Sequence, residues 1–220
     1  MMRNCFFIML FISTFAFAQN KPTFGINAGG TYANVRGNES ADRNEYDFNF
    51  LLGGSVEMPL SSKVSFLLNV NYERKTFQQD LNAAFFNPAL SDPFDPIVTS
   101  EFVNIKVRLE YITIPLNLKY YLNERKNFFI NGGPFVGVFL NSQSKANGTK
   151  INEDGNGLFK TLDFGGNFGI GTRFKINEKY SLNLEIRHNY GLANISSVPV
   201  INGGSIKTNA FNLIANWQFD

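Results

Sequence analysis

The sequence predicts an all-β chain, an eight-stranded antiparallel up-and-down transmembrane β-barrel. Three observations predict it. Apolar and polar residues alternate at the two-residue period of a strand in segment after segment. The connections between those segments are alternately short and long. No stretch after residue 18 is long and apolar enough for a spanning helix, so a chain that enters the membrane must close its strands into a ring. The 220 residues suffice for one barrel, and 24 Phe with 19 Gly suit an apolar outer wall joined by tight turns. A formal net charge of +2 supplies no basic field, so no nucleic-acid partner is expected.

The chain opens on a targeting pattern. Arg3 gives a positive start, "CFFIMLFISTFAFA" a short apolar core, and Ala16-Phe17-Ala18 an A-x-A cleavage site before Gln19. Residues 1–18 are expected to be a cleaved signal peptide and residues 19–220 a single barrel domain. Cys5, the one cysteine, lies ahead of the apolar core, whereas a lipoprotein cysteine would follow it. The mature chain then has no disulfide and no thiol chemistry.

Eight candidate strands follow. The first, residues 23–35, carries Phe24, Ile26, Ala28 and Tyr32 on one face. The second, 47–58, carries Phe48, Phe50, Leu52, Val56 and Met58, and the third, 64–77, carries Val64, Phe66, Leu68, Val70 and Tyr72. The fourth ends in "YITIPLNLKYYL", with Ile112, Ile114, Leu116, Leu118 and Tyr120 aligned. The fifth, 128–140, carries Phe128, Ile130, Val136, Val138 and Leu140, and the sixth, 162–174, carries Leu162, Phe164, Phe168, Ile170 and Phe174. The seventh, 180–192, carries Tyr180, Leu182, Leu184, Ile186 and Tyr190, and the eighth, 208–219, carries Phe211, Leu213, Ala215, Trp217 and Phe219.

"PLSSK", "NERKN" and "INEK" are tight polar turns, whereas residues 36–46, 78–101, 141–160 and 194–207 form long connections. In a meander, alternate connections share an end. The short turns therefore all fall at one end and the long loops at the other, as in outer-membrane barrels with periplasmic turns and extracellular loops. Both termini are then periplasmic.

The faces opposite the apolar stripes carry Asn27, Glu57, Asn69, Asn71, Glu73, Asn117, Lys119, Asn131, Asp163, Asn167, Arg173, Asn183, Glu185 and Arg187, interleaved with glycine. Such a mixture suits a narrow barrel interior, which eight strands leave just wide enough for side chains to fill. A plugged lumen is expected, with Glu57, Glu73, Lys119, Asp163, Arg173, Glu185 and Arg187 as its polar network. Ile112 to Tyr120 is eight steps of about 3.3 Å, which at a tilt of about 40° rises roughly 20 Å, near the ~25 Å apolar band of such barrels. Tyr120, Tyr121, Tyr180 and Trp217 are read as interfacial girdle residues. Pro115 has no N–H for a ladder, and apolar parity moves from odd (Val107, Leu109, Tyr111) to even at Ile112. A bulge or irregular pairing is therefore expected between Tyr111 and Pro115.

Four stretches, "YITIPLNLKYYL", "INGGPFVGVFL", "DFGGNFGIGTRF" and "LNLEIRHNYGLANI", resemble in order and spacing the PorT-like family of small bacterial outer-membrane β-barrels. The resemblance runs from about residue 23 to 219. It implies an eight-stranded barrel in the bacterial outer membrane and little about activity; some members are tied to protein secretion and gliding, a link that fold alone does not transfer. Outer-membrane barrels tend to end on a Phe read by the insertion machinery. Here Phe219 is penultimate and Asp220 follows.

No catalytic, cofactor-binding or metal site is expected. His188, the one histidine, shares a face with Ile186 and Tyr190; a Ser/His/Asp site would need it beside a nucleophile, and a metal site would want more imidazoles. "NEDGNG" at residues 152–157 lacks the full 12-residue calcium pattern. Gly165, Gly166, Gly169 and Gly171 sit in a strand pattern without a following helix, so they do not make a phosphate loop. Loop 78–101 is the functional lead, because Phe85, Phe86, Leu90, Phe94 and Ile97, stiffened by Pro88, Pro93 and Pro96, either cover the barrel mouth or meet a protein partner. The expected function is non-enzymatic: an outer-membrane protein surrounded by lipid, offering its loops as an accessory to secretion or surface assembly or as an adhesion-type surface protein. The alternatives are an outer-membrane enzyme acting on lipid or peptide, and a soluble lipid-binding barrel with the apolar stripes turned inward.

Overall fold

The computed structural model describes residues 21–82, 102–152, 157–200 and 203–219. Its strands are β1 (Thr23–Arg36), β2 (Glu45–Pro59), β3 (Val64–Asn82), β4 (Phe102–Tyr121), β5 (Phe128–Ala146), β6 (Thr149–Asn152), β7 (Leu162–Lys175), β8 (Tyr180–Gly191) and β9 (Lys207–Phe219). A 3₁₀ turn, Ala41–Arg43, lies between β1 and β2. Neighbours pair antiparallel in the order β4-β3-β2-β1-β9-β8-β7-β5, and β4 also pairs β5, so eight strands close a ring. The expected leader and residues Phe85, Phe86, Leu90, Phe94 and Ile97 lie outside the described residues.

The ninth strand is an addition to the eight expected. β6 pairs residues 144–146 of β5 on the side that β7 occupies further down, where β7 pairs residues 128–138. It continues the line of β7 beyond Leu162. Lys75 to Asn82 and Phe102 to Glu110 also stay paired, so β3 and β4 reach well past the ends that the alternation marks. One wall of the barrel, β3–β4–β5, is therefore much taller than the β8–β9 wall.

The short turns hold themselves by backbone and asparagine or serine contacts. The amides of Leu60 and Ser61 both donate to the Val64 carbonyl, at 2.8 and 2.9 Å. Asn177 Oδ1 accepts from the amides of Lys179 and Tyr180, at 2.8 and 2.9 Å, the local closure that makes asparagine a turn former.

The irregularity expected near Pro115 divides into two. The β4–β5 register shifts between Glu110 and Tyr111, where Asn141 and Phe139 are the successive partners and Leu140 is the extra residue. The bulge therefore belongs to β5, not to β4. Separately, the β3–β4 ladder breaks opposite Ile114 and Pro115, and the β4–β5 ladder breaks opposite Gly133 and Pro134. Each proline lacks the N–H its ladder position would use. A Cβ on Gly133 would lie 2.0 Å from the Leu116 carbonyl oxygen, so the close approach of β4 and β5 here requires glycine.

The parity slip read on β4 does not occur. Leu109, Tyr111, Thr113, Asn117, Lys119 and Tyr121 are all buried on one continuous inward face. The chemistry changes face instead. Below Glu110 the outward residues are Ile112, Ile114, Leu116 and Leu118; above it they are Lys106 and Arg108. Inward, the polar residues lie below and the apolar ones above. An apolar stripe that moves from one parity to the other has two causes, a bulge or an exchange of environments, and here it is the exchange.

Candidate functional site

The apolar stripes face outward around the ring: Phe24, Ile26, Phe48, Leu118, Phe164, Ile186 and Leu213 are each more than half exposed. The lumen is polar and filled, which excludes the soluble barrel with inward stripes.

At the turn end of the lumen, Glu57 is the acceptor hub. Its Oε2 takes Lys119 Nζ at 2.9 Å and Gln218 Nε2 at 2.9 Å, and its Oε1 takes the Tyr121 hydroxyl at 2.6 Å. Arg173, half-buried, donates from Nη1 to the Tyr121 hydroxyl at 3.0 Å and from Nη2 to Ser181 Oγ at 2.9 Å. Lys119 Nζ also lies 4.0 Å from the centroid of the Phe129 ring. Tyr121, read from sequence as a girdle residue, is thus a lumenal hydrogen-bond donor, 1% exposed. Its odd number places it with Asn117 and Lys119, the signal that identifies it. Tyr120, Tyr180 and Trp217 do face outward.

The middle of the lumen is a girdle of side-chain amides. Asn183 Nδ2 donates to Asn216 Oδ1 at 2.9 Å, Asn216 Nδ2 to Asn27 Oδ1 at 2.6 Å, and Asn27 Nδ2 to Asn71 Oδ1 at 2.8 Å. Across the ring, Asn167 donates to Asn117 and Asn117 to Asn131, both at 2.9 Å. Arg187 and Glu185, two residues apart on β8, form a two-point pair at 2.6 and 3.0 Å. An asparagine amide donates and accepts at once, so these two chains fill a narrow interior without adding net charge, with Asn131 Nδ2, Asn167 Oδ1 and Asn183 Oδ1 left without a partner among the described residues.

Above the girdle, Lys75 Nζ meets Asp163 Oδ2 at 3.2 Å, and the Thr208 hydroxyl donates to the same oxygen at 2.7 Å. Lys75 escaped the sequence reading although it shares parity with Asn71 and Glu73. Among the described residues Glu73 has neutral donors only, Thr113 and Asn212 both at 2.7 Å and Thr31 at 3.5 Å. The network expected from sequence is therefore not one cluster but three tiers, with Glu57, Lys119 and Arg173 in the lowest, Glu185 and Arg187 in the middle, and Glu73 and Asp163 in the highest.

Over these tiers sits an apolar cap, unforeseen because its residues lie on the parity assigned to polar groups. Val35, Ala41, Phe77, Leu109, Tyr111 and Ile195 are buried together, with Val107, Phe139, Phe159 and Ile206 against them. The 3₁₀ turn delivers Ala41 into the mouth. Among the described residues, a cavity of about 310 Å³ opens beside the cap, lined by Phe77, Val107, Phe159 and Val198 among others. The cavity lined by Asn27, Asn69, Lys119, Glu185, Arg187 and Asn216 deep in the lumen holds only about 10 Å³, no more than one water.

His188 faces outward, stacked on Phe211 at 4.3 Å with its Nε2 2.6 Å from Asn209 Oδ1. The four glycines of residues 165–171 lie within β7. Among the described residues there is no group of three or more His, Cys, Asp or Glu placed to hold a metal.

An outward apolar belt around a sealed polar lumen is the architecture of a barrel embedded in lipid. The chain belongs to the outer membrane protein beta-barrel domain family, which matches residues 17–197. It is a protein of the bacterial outer membrane. No curated protein matches it in sequence. Solved structures similar to it include Neisserial surface protein A (11% identity, 89% of this chain and 96% of that one, TM-score 0.44). The N-terminal β-barrel domain of Pseudomonas aeruginosa OprF is another (16% identity, 91% and 100%, TM-score 0.44). A third is Ail of Yersinia pestis, in complex with the heparin analogue sucrose octasulfate (9% identity, 90% and 99%, TM-score 0.42).

Proposed function

We propose that this protein is a non-enzymatic, non-conducting outer-membrane barrel of the PorT-like group that works through its outer end. In this reading residues 1–18 are a removed leader, and the C-terminal strand ending at Phe219 is what the insertion machinery reads. Both termini and the short turns face the periplasm. The upper part of the tall β3–β4–β5 wall and the long loops stand outside the cell, where they meet a protein partner in secretion, surface assembly or adhesion. The observation that carries the reading is the filled lumen. With about 10 Å³ left deep inside, solutes have no path through, and the accessible chemistry is at the ends.

Planar-bilayer recording of the purified protein tests this directly: no conductance steps are expected, and stable steps would overturn the closed lumen. Orientation is tested by single cysteines, since Cys5 lies in the expected leader. Asn147→Cys, at the β5–β6 hairpin tip, should label with an impermeant maleimide on intact cells. Ser62→Cys, in the β2–β3 turn, should label only after permeabilisation. The reverse pattern would invert the protein.

A further inference from the structure

On the wall formed by β8, β9 and β1, the outward residues form rows set by strand register. Rising from the turn end, the rows read Phe24–Phe219–Tyr180, then Ile26–Trp217–Leu182, then Ala28–Ala215–Leu184, then Gly30–Leu213–Ile186. Above these come Tyr32–Phe211–His188, then Asn34–Asn209–Tyr190, and last Arg36 opposite Lys207. Each row is two residues, or about 7 Å along the strand, above the one below. From the Ala28 row upward the chemistry passes from aliphatic to aromatic to amide and phenol to cationic. That is the order a membrane offers from acyl chains through the interface to the headgroups.

The top row is cationic. Two cations lie directly opposite each other in a ladder, an arrangement that is destabilising unless an anion intervenes. Among the described residues neither Arg36 nor Lys207 has a carboxylate within 4.0 Å. On the opposite wall Lys106 also faces a cation, Lys145, but Lys106 is paired with Asp47 at 2.8 Å, and Arg74 and Arg108 both pair with Glu110, at 3.3 and 3.2 Å. Arg36 is also held in place. Its guanidinium lies 3.5 Å from the Tyr190 ring centroid, Nη2 donates to the Gly191 carbonyl at 2.5 Å, and its buried Nε has no partner among the described residues.

We propose that Arg36 and Lys207 bind the phosphate of an anionic lipid in the leaflet at the loop end of the barrel. Arg36 supplies a pre-oriented planar donor, Lys207 a mobile charge, and the aromatic row below packs against the upper acyl chains. The binding partner is a lipid headgroup because the site opens onto the lipid-facing wall, immediately above the apolar belt.

Native mass spectrometry of the full-length protein in detergent, offered phosphatidic acid or phosphatidylcholine of equal chain length, tests this. Two surface cations predict a preference for phosphatidic acid of roughly thirtyfold. R36Q/K207Q should bring the preference near unity, and K106Q, on the opposite wall, should leave it. The wild-type preference should also fall as NaCl is raised from about 0.05 to about 0.5 M, a measurement that needs no variant. Folding of each variant is checked by heat-modifiable gel mobility, and K207Q alone serves if the double variant does not fold, with a partial loss expected. An unchanged preference in the variants, no preference in the wild type, or equal loss in K106Q would overturn the site. Displacement by inorganic phosphate as effective as by lipid would overturn the lipid assignment. The proposal rests on the membrane placement: failure to retain either lipid would sink that placement, whereas equal retention of both would sink only the phosphate site.

Discussion

Lys75 on β3 and Asp163 on β7 meet at 3.2 Å across the lumen, with side chains 2% and 0% exposed. Breaking one side of such a pair strands the other charge in a sealed interior. Asp163→Asn is expected to cost about 3–5 kcal/mol, whereas replacing both residues with apolar side chains of similar volume should cost far less. Urea titration of the folded band on unboiled gels measures both. An Asp163→Asn loss no larger than that of the double replacement would mean that Lys75 finds another anion.

Glu73 provides the contrast. Thr31, Thr113 and Asn212, all neutral, are its donors, so neutralising it leaves no cation behind. Glu73→Gln should be milder than Asp163→Asn in the same titration, within about 1–3 kcal/mol of wild type. Equal loss in the two variants would reveal a cation that depends on Glu73.

The amide girdle makes its own prediction. Asn216 donates to Asn27 and Ser55 and accepts from Asn183. Asn216→Leu keeps the branched outline with a bulkier, apolar side chain and deletes these contacts together with the longer one to the Ile26 carbonyl. It should cost about 1–3 kcal/mol for each group left unpaired. Stability equal to wild type would show that the girdle repacks around a single gap.

The outer belt predicts a depth dependence. Leu116 lies in the middle of the outward run Ile112–Tyr120, and Leu122 lies at its lower end, beyond β4. Leu116→Arg should destabilise the folded protein in lipid by about 2–4 kcal/mol and Leu122→Arg by about 0–1 kcal/mol. Equal effects would mean that the belt is not centred on Leu116.

Much of this fold is written in period-two alternation. Phe24, Phe48 and Phe164 announce the lipid face because nothing interrupts their parity between the turns. Lys119 and Glu185 share the other face for the same reason, but parity says nothing about partners, and the tiers depend on how far each strand is staggered in the ring. The apolar cap was illegible for a different reason. Leu109 and Tyr111 look like an outward stripe out of step with Ile112, and only the height of the membrane border separates that from a bulge. The actual bulge, at Leu140, lies within a run of apolar residues where one extra member leaves no mark. Tyr121 was legible by parity and hidden by its residue type, since a tyrosine at a strand end suits either the girdle or a lumenal donor.

The contacts of Glu57, Glu73 and Lys75 have a kinetic consequence. Each charge sits in the first half of the chain, and each is answered at least partly from the second, by Gln218, Asn212 and Asp163. A half-assembled sheet in the bilayer would carry these groups without their counterparts. Seam closure between β1 and β9 is the step that brings the two halves into register. The interior chemistry therefore penalises every partial structure, and the barrel should assemble as one cooperative unit, without a stable open-sheet intermediate.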